Sequence, residues 1–341
     1  MSSLPRTVVV HHRSGIGDLI WHIPYLRAIA ATSADGRVSV IARPSCRAAE
    51  VLAAEACVEE VIEYDRKPRK SEGRVGRHDS LGAQIGFVRE LRRRRFERIV
   101  IFSGRARYGA LALAAGIRQR VGFGFSWAER LFLNTPPYIR PHAGPGNWVF
   151  PEATALSVAQ GFVAGPVSPR MAVLPAALAD AERDLAAWPA PRYAFSIGTS
   201  EARKNWGVDN FAALAAALAQ QGGSVVLLGG PAEKPAAEAI VAAVPEALRG
   251  RVFVSAQTSV QRSAALLRQC RYCVGNDTGV LNMAVANEVP ALGLFGVTPP
   301  MAADPLLHAL VGDGMASISV AAVLARLAEL GAPVGPGGGG R

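Results

Sequence analysis

The sequence predicts an α/β protein made of two doubly wound domains, each a parallel sheet covered by helices. Three observations carry that prediction. The chain has 341 residues, room for about two domains at roughly 100–200 residues each. Half of it is hydrophobic and only 19% is charged, which excludes a disordered or coiled-coil protein. Short β-branched runs alternate with helical stretches, and after a Pro/Gly-rich interruption the alternation starts again.

In the first series Thr7–His11 is a strand. Asp18–Thr32 is a helix, with apolar residues at 19, 20, 23, 26, 29 and 30. Val38–Ala42 is the next strand, Arg47–Ala54 a short helix, Val61–Tyr64 a strand, Leu81–Arg94 a helix and Arg98–Phe102 a strand. Between the third strand and the Leu81 helix, Asp65–His78 is basic and almost without apolar residues, so it reads as an exposed, mobile loop. Pro136–Pro151 breaks the pattern, a helix follows near Ala153–Gly161, and Pro166, Pro169 and Pro175 make a second break. The second series has helices near Ala179–Trp188, Val208–Gln220, Lys234–Val244, Ser259–Gln269 and Gly279–Asn287. Its strands are Tyr193–Ile197, Ser224–Leu228, Val252–Val254, Tyr272–Val274 and Ala291–Phe295. The expected organisation is a first domain over 1–165, a second over 166–319, a C-terminal helix over 320–331 and a disordered Gly-rich tail over 332–341. Open-sheet proteins of this kind bind ligands beyond the carboxyl ends of their strands, and two such domains would make a cleft between them.

Charge separates the two halves. Residues 1–165 hold 24 Lys/Arg against 14 Asp/Glu, the whole +10 of the chain, while residues 166–341 hold 13 of each. One half therefore suits an anionic partner: nucleic acid, a membrane surface or a phosphorylated substrate. The stretch Arg66–Arg107 is the densest, with 14 Lys/Arg and 4 Asp/Glu, including Arg92–Arg95. That run reads either as a solvated helix end with favourably placed cations or as a contact for anionic headgroups. Aromatic residues are not interleaved with the cations, which disfavours nucleic acid. Four cysteines make no disulfide scaffold. Cys270 and Cys273 form a C-x-x-C without companions for a zinc set, and Cys273 reads as a buried thiol. The N-terminus lacks the apolar core of a signal peptide and no apolar run is long enough to span a membrane, so the expectation is a soluble cytosolic chain.

The chemistry-bearing turns follow predicted strands. His11-His-Arg-Ser-Gly-Ile-Gly-Asp18 lacks the third glycine of a dinucleotide fingerprint, since Ile20 stands there, and lacks the Gly-Lys-Ser/Thr of a P-loop. Asp18 reads either as a helix N-cap or as a carboxylate able to take a proton from a hydroxyl. Gly198-Thr-Ser-Glu-Ala-Arg-Lys-Asn-Trp206 offers N–H groups, Thr199, Ser200 and Lys204 to a diphosphate, or an ordinary loop with Trp206 packing the helix start. Gly229-Gly-Pro-Ala-Glu233 places an acid where ribose hydroxyls could bind, or simply in the first turn of a helix. Gly275-Asn-Asp-Thr-Gly279 puts amides, a carboxylate and a hydroxyl at a helix start. Capping explains Asp277 or Thr278 singly, but not several such turns in one domain.

Taken in order, the Gly-x-Gly-Asp18 turn, Lys204-Asn-Trp206 and Gly275-Asn-Asp-Thr-Gly279 followed by Leu294-Phe-Gly-Val-Thr-Pro299 resemble glycosyltransferase family 9, the ADP-heptose:lipopolysaccharide heptosyltransferases. The resemblance spans about residues 7–330. It implies the GT-B fold, two Rossmann-like doubly wound domains facing across a cleft, with acceptor in the first and nucleotide sugar in the second. It implies an inverting transfer without metal or other cofactor, most simply of heptose from ADP-heptose to a lipopolysaccharide-type or other anionic glycan acceptor. Asp18 would be the base and Lys204 the charge partner of the diphosphate. Thr199, Ser200, Glu233, Asp277, Thr278, Gly279 and Asn282 would contact the nucleotide sugar. Acceptor contacts would come from Gly15, Gly17, Arg69, Lys70, Arg92 and Arg93. The expected partners are a nucleotide sugar and an anionic glycolipid or glycan, with peripheral contact at the cytoplasmic face of the inner membrane and no nucleic acid. One departure stands out: the family pattern carries a His where this chain has Asn282, which donates a hydrogen bond but carries no charge. Two alternatives stay open on that ground, a transferase or epimerase using another nucleotide sugar, and a non-catalytic nucleotide-sugar-binding protein.

Overall fold

The computed structural model describes residues 4–68, 72–144, 146–199, 201–256, 259–300 and 304–333. Ser200, Arg69, Lys70 and the tail from residue 334 onward, all named above, lie outside them. The chain divides into two compact units, Met1–Pro169 and Arg170–Arg341.

Unit 1 contains β1 (Thr7–His11), α1 (Ile16–Ile20), α2 (Ile23–Ala30), β2 (Val38–Ala42), α3 (Ala48–Val51) and β3 (Val58–Glu63). It continues with α4 (Leu81–Arg93), β4 (Arg98–Phe102), α5 (Ala106–Ala114), β5 (Gln119–Gly122), α6 (Trp127–Arg130) and α7 (Val149–Ala159). Its five strands are all parallel, in the order β3-β2-β1-β4-β5. β1, β2 and β4 are buried along their whole length, which is why they read as unbroken apolar runs. Val8, Val10, Ile99 and Ile101 face Phe87 and Leu91 of α4 and Tyr108 and Ala112 of α5 in one core. α7 packs on α2, with Tyr25 bonded to Thr154 and the Trp21 and Phe150 rings 5.2 Å apart.

The helix expected over Asp18–Thr32 is two helices, α1 and α2, broken at Trp21-His22. Pro24, near the start of α2, has no N–H and its ring excludes the carbonyl four residues back. The apolar spacing runs through the break because both helices bury the same face. α5, β5 and α6 are additional to the elements the sequence predicts. β5 is four residues long and half polar, too short to carry a periodic signal.

The loop expected to be exposed and mobile is mostly exposed in its described residues, and it is folded around two carboxylates. Asp65, 4% exposed, takes two hydrogen bonds from Arg74 at 2.6 and 3.2 Å and one from the Arg77 N–H at 3.1 Å. Those bonds hold its carboxyl below the usual range. Asp79 accepts from the N–H groups of Lys67 and Gly76 at 2.7 and 2.8 Å. A run of cations reads as solvated; here its nearest acids turn it back on itself.

Unit 2 contains α8 (Pro175–Leu185), β6 (Arg192–Ser196), α9 (Val208–Gln220), β7 (Ser224–Gly229), α10 (Lys234–Ala243), α11 (Glu246–Arg249) and β8 (Val252–Ala256). Then come α12 (Val260–Arg268), β9 (Tyr272–Asn276), α13 (Gly279–Ala286), β10 (Ala291–Phe295), β11 (Leu307–Val311) and α14 (Val320–Glu329). The six strands are parallel in the order β11-β10-β9-β6-β7-β8. The expected strands and helices agree to within a few residues. The half-exposed edge strand β11 was not expected. Phe195, Trp206, Phe211, Leu214 and Leu218 form the core of one face, which α14 closes with Val323 and Leu327. Cys273 is a fully buried free thiol on β9.

In each sheet the strand order reverses beside the first strand. In unit 1, β1 lies between β2 and β4; in unit 2, β6 lies between β7 and β9. The turns leaving these strands at their carboxyl ends are where doubly wound sheets hold ligands. Those are the Gly15–Asp18 turn after β1 and the turns after β6 and β9.

Candidate active site

In unit 1 the backbone of Gly15, extended and without a side-chain cap, forms the N-cap of α1. Asp18 is therefore the third helical residue and not the cap that the sequence also allowed. Its carboxylate is oriented from two sides: Asn147 Nδ2 donates to Oδ1 at 3.3 Å, and Arg13 Nε lies 3.4 Å from Oδ2. Arg13 in turn sits over the Trp148 ring, 4.2 Å from its centroid. The Asp18 side chain keeps 18% of its exposure, enough to meet a hydroxyl. Asn147, Trp148 and Arg13 escaped sequence reading. The first two lie in the Pro/Gly-rich break, and Arg13 reads as one more cation.

Beneath this turn lie three histidines. His11 Nδ1 and His22 Nδ1 share a hydrogen bond of 2.9 Å, and His12 Nδ1 bonds the Phe102 carbonyl at 3.1 Å. Burial is the main cause that lowers His22 to about 3 and His12 to about 4, and it holds His11 well below 6.5. Neighbouring charge from Arg13 adds to each. The sign follows directly: unfolded histidine takes up a proton near its ordinary 6.5, whereas the folded rings stay neutral to lower pH. Their contribution to stability is full above 6.5 and falls as the pH drops through 6.5 toward 4 and 3. Melting temperature should therefore decline from pH 7 to pH 5, and His22→Phe should flatten that decline. Equal slopes for the two proteins would contradict the assignment.

In unit 2, β6 and β9 are neighbours, with Ser196 opposite Gly275. This pairing brings the turns after both strands together. Asn276, fully buried, ties them: Nδ2 donates to the carbonyls of Ile197 and Gly198 at 2.9 and 3.3 Å, and Oδ1 accepts from Trp206 N–H at 3.0 Å. Thr278 caps α13, accepting from Val280 N–H at 3.3 Å, and bonds Ser196 Oγ at 2.7 Å. Asp277 Oδ2 accepts from Thr298 at 3.0 Å and lies 3.4 Å from Lys204 Nζ. Lys204 also pairs with Glu201 at 2.9 Å. Burial works against its charge, but the two carboxylates outweigh burial and raise its pKa.

Thus Lys204, Asp277, Thr278 and Gly279 come together at the start of α13. The Thr199 hydroxyl is engaged in its own turn, donating to the Glu201 carbonyl at 3.1 Å and accepting from Glu201 N–H at 3.2 Å. Glu233 caps its own turn through Gly230 N–H at 2.7 Å. Its side chain reaches the next turn, where a Cβ on Gly198 would come within 3.2 Å of it. Asn282 is half-buried on α13, with no side-chain hydrogen bond among the described residues. Glu201 and Thr298 had no role in the sequence reading. The partner each binds lies far along the chain or one turn away in a loop, where no periodicity points to it.

Two expected acceptor contacts are placed elsewhere. Arg92 and Arg93 end α4, which runs back against the strands, so they lie at the amino edge of the unit 1 sheet, opposite the Gly15–Asp18 turn. Arg92 donates to the Ala114 carbonyl at 2.6 Å at the end of α5. Their neighbour Arg94 pairs with Glu60 and Glu90 at 2.8 and 2.9 Å. In a β-α-β unit the helix C-terminus returns the chain to the amino edge, so a cation run there serves the helix end. Gly15 and Gly17 stay beside Asp18.

A family model described as glycosyltransferase family 9 (heptosyltransferase) matches residues 85–315. The chain belongs to glycosyltransferase family 9. It is 35% identical over 104 residues to lipooligosaccharide heptosyltransferase 2 of Haemophilus influenzae, covering 30% of each chain. It is also 35% identical over 112 residues to lipopolysaccharide heptosyltransferase 1 of Pseudomonas aeruginosa, covering 33% of this chain and 30% of that one. The alignments thus span about 30% of the length of these curated relatives. The structure of E. coli ADP-heptose lps heptosyltransferase II superposes with a TM-score of 0.75 at 20% identity, covering 95% of this chain and 98% of that one. A glycosyl transferase family 9 structure from Veillonella parvula gives 0.79 at 18% identity, over 97% and 98%. The fold is therefore GT-B, two parallel-sheet α/β domains. Among the described residues, no three His, Cys, Asp or Glu side chains form a metal-ligand set, and no helix is long and apolar enough to cross a membrane.

Proposed function

We propose that this chain transfers heptose from ADP-heptose to a lipopolysaccharide-type acceptor, inverting the anomeric centre without a metal ion. The observation that carries the reading is the cluster of Lys204, Asp277 and the capped start of α13, in a member of this family. Displacing a nucleoside diphosphate passes through an oxocarbenium-like state with negative charge growing on the leaving oxygens. Lys204 and the N-terminal end of α13 supply positive potential for that charge. The donor's phosphates would take the place that Asp277 and Glu201 now hold beside Lys204. Glu233, whose side chain lies between the turns after β6 and β7, would bind the ribose hydroxyls. In unit 1 Asp18, steadied by Asn147 and Arg13, takes the proton from the attacking hydroxyl.

The acceptor is assigned to unit 1 because that unit carries the whole +10. A phosphorylated glycolipid at the cytoplasmic face of the inner membrane fits both that charge and the names of the relatives. Thermal shift of the full chain against ADP-, UDP- and GDP-sugars, with transfer assayed in EDTA, tests the proposal. The expected result is stabilisation by ADP-heptose and full activity in the chelator. Stabilisation by UDP- or GDP-sugars alone would overturn the donor, and a need for added Mg²⁺ or Mn²⁺ would overturn the metal-free scheme.

A further inference from the structure

The +10 of unit 1 includes four arginines that share one edge of its sheet. Arg43 follows β2 and Arg66 follows β3, while Arg105 and Arg107, the N-cap and second residue of α5, follow β4, so all four lie beyond the carboxyl ends of parallel strands. This is the edge that also carries Asp18. They surround two buried tyrosines, Tyr64 and Tyr108, 2% and 4% exposed, with ring centroids 5.9 Å apart. Arg107 lies 5.2 Å from the Tyr108 ring centroid, and Arg107, Arg43 and Arg105 act on the Tyr108 hydroxyl through their charge. The charges of Arg66 and Arg107 also act on the Tyr64 hydroxyl. Arg43 ties two of the loops together by donating to the Arg66 and Lys67 carbonyls.

The cluster lacks a counter-charge. Arg6, Arg27, Arg47, Arg74, Arg77 and Arg94 of the same unit each pair with a carboxylate. Among the described residues, none of these four guanidinium groups has a carboxylate within 4.0 Å. Asp79, whose charge is felt by Tyr64 and Arg66, has both oxygens occupied by the Lys67 and Gly76 N–H groups, and the Asp65 carboxylate is bonded to Arg74 and to the Arg77 N–H. Three donors at the centre are also unused: Arg66 Nε, Arg107 Nε and the Tyr64 hydroxyl are buried without a hydrogen-bond partner. Buried donors without acceptors and like charges without a counter-ion each destabilise a fold, and here the two coincide at one place, which calls for a partner that supplies both acceptors and negative charge. The missing partner must be an anion with several acceptor oxygens. A carboxylate offers two. A phosphate monoester offers three terminal oxygens and close to two negative charges, and guanidinium groups bind it in pairs of parallel bonds.

We infer that Arg43, Arg66, Arg105 and Arg107, with the Tyr64 hydroxyl, form a binding site for a phosphate monoester. As a subsite for a phosphorylated acceptor it rests on the transfer reading above; as an anion site it does not. The same chemistry would come from free phosphate in the cell, and the experiment separates the two sources.

Inorganic phosphate is titrated calorimetrically into the full chain at low ionic strength, and the titration is repeated with Arg43→Gln/Arg105→Gln and with Lys204→Gln. Saturable binding should weaken at least about tenfold in the arginine variant, given the strength of charge-assisted pairs, and persist in Lys204→Gln. A melting temperature near the wild-type value shows that the arginine variant is folded; Arg66→Gln serves if it is not. No saturable binding, or equal binding by the arginine variant, would overturn the site. Loss in Lys204→Gln alone would assign phosphate to unit 2 and overturn it equally. Transfer is then measured with acceptor before and after phosphatase treatment. An acceptor KM about tenfold higher in the arginine variant, only for the phosphorylated acceptor and with donor KM unchanged, establishes the subsite. Phosphate binding without that KM effect establishes a site for free phosphate and overturns the acceptor role. Phosphate binding in a chain that transfers nothing would reject the transfer reading and leave the anion site standing.

Discussion

Asp18→Ala should lower the rate of sugar transfer by about 10²–10⁴-fold, the usual contribution of a general base, while nucleotide-sugar affinity stays the same. The separation is expected because Asp18 belongs to unit 1, and the groups assigned to the donor, Lys204, Glu233, Asp277 and Thr278, belong to unit 2. The fold should tolerate the change. Asp18 makes one hydrogen bond to Asn147 and one ion pair with the partly exposed Arg13, and such pairs contribute about 0–1 kcal/mol. Asp18→Asn keeps the volume and a partner for Asn147 but removes the base, so it should be as inactive as the alanine variant. Initial rates with saturating donor, next to donor binding by calorimetry, measure both halves of the prediction. Unimpaired transfer by either variant would remove Asp18 from the mechanism.

The largest structural effect is expected at Gly275. Its backbone stands at φ 152°, and a Cβ placed there would lie 2.2 Å from the Ser196 carbonyl oxygen on the neighbouring strand. The contact is between backbones of the two central strands, β6 and β9, so neither side can rotate away. An alanine must push these strands apart or distort one of them, at a cost of about 3 kcal/mol or more. For a unit of this size that corresponds to a melting temperature lower by roughly 6–12 °C. The same displacement would pull Asn276 from the Ile197 and Gly198 carbonyls and shift the start of α13 away from Lys204, so nucleotide-sugar binding should fall with stability. Gly293→Ala, on the next strand, is a useful comparison, because its Cβ would meet mainly the Phe295 and Leu281 side chains, which can move. Calorimetric melting of the two variants with and without donor tests the argument. A Gly275→Ala protein as stable as the parent would refute it.

Much of this molecule can be read from residue order alone. Buried parallel strands such as Val8–Val10 and Val225–Leu228 have few alternatives to the β state, since β-branched and apolar runs of that length neither solvate nor form a long helix. Glycine-rich turns directly after such strands mark where backbone N–H groups are left free, so the segments around Asp18, Lys204 and Asp277 were identifiable without a structure. Where the structure departs from the local pattern, the causes are physical. Pro24 breaks a helix whose apolar spacing continues across the break. Edge strands β5 and β11 are too short and too exposed to be periodic. Asp65 and Asp79 organise a loop whose composition advertises only charge.

The division of charge shows the boundary most clearly. Sequence alone determined that the first half holds the entire +10, because a charge count needs no geometry. Which cations act together was decided only by the tertiary structure. Arg92 and Arg93, adjacent in a conspicuous run, go to the amino edge because a helix between parallel strands must return there. Arg43, Arg66, Arg105 and Arg107, scattered over more than sixty positions, meet because each follows a strand of the same parallel sheet and so leaves it on the same side. Strand direction and strand order are properties of pairing between distant segments, and no local pattern encodes them.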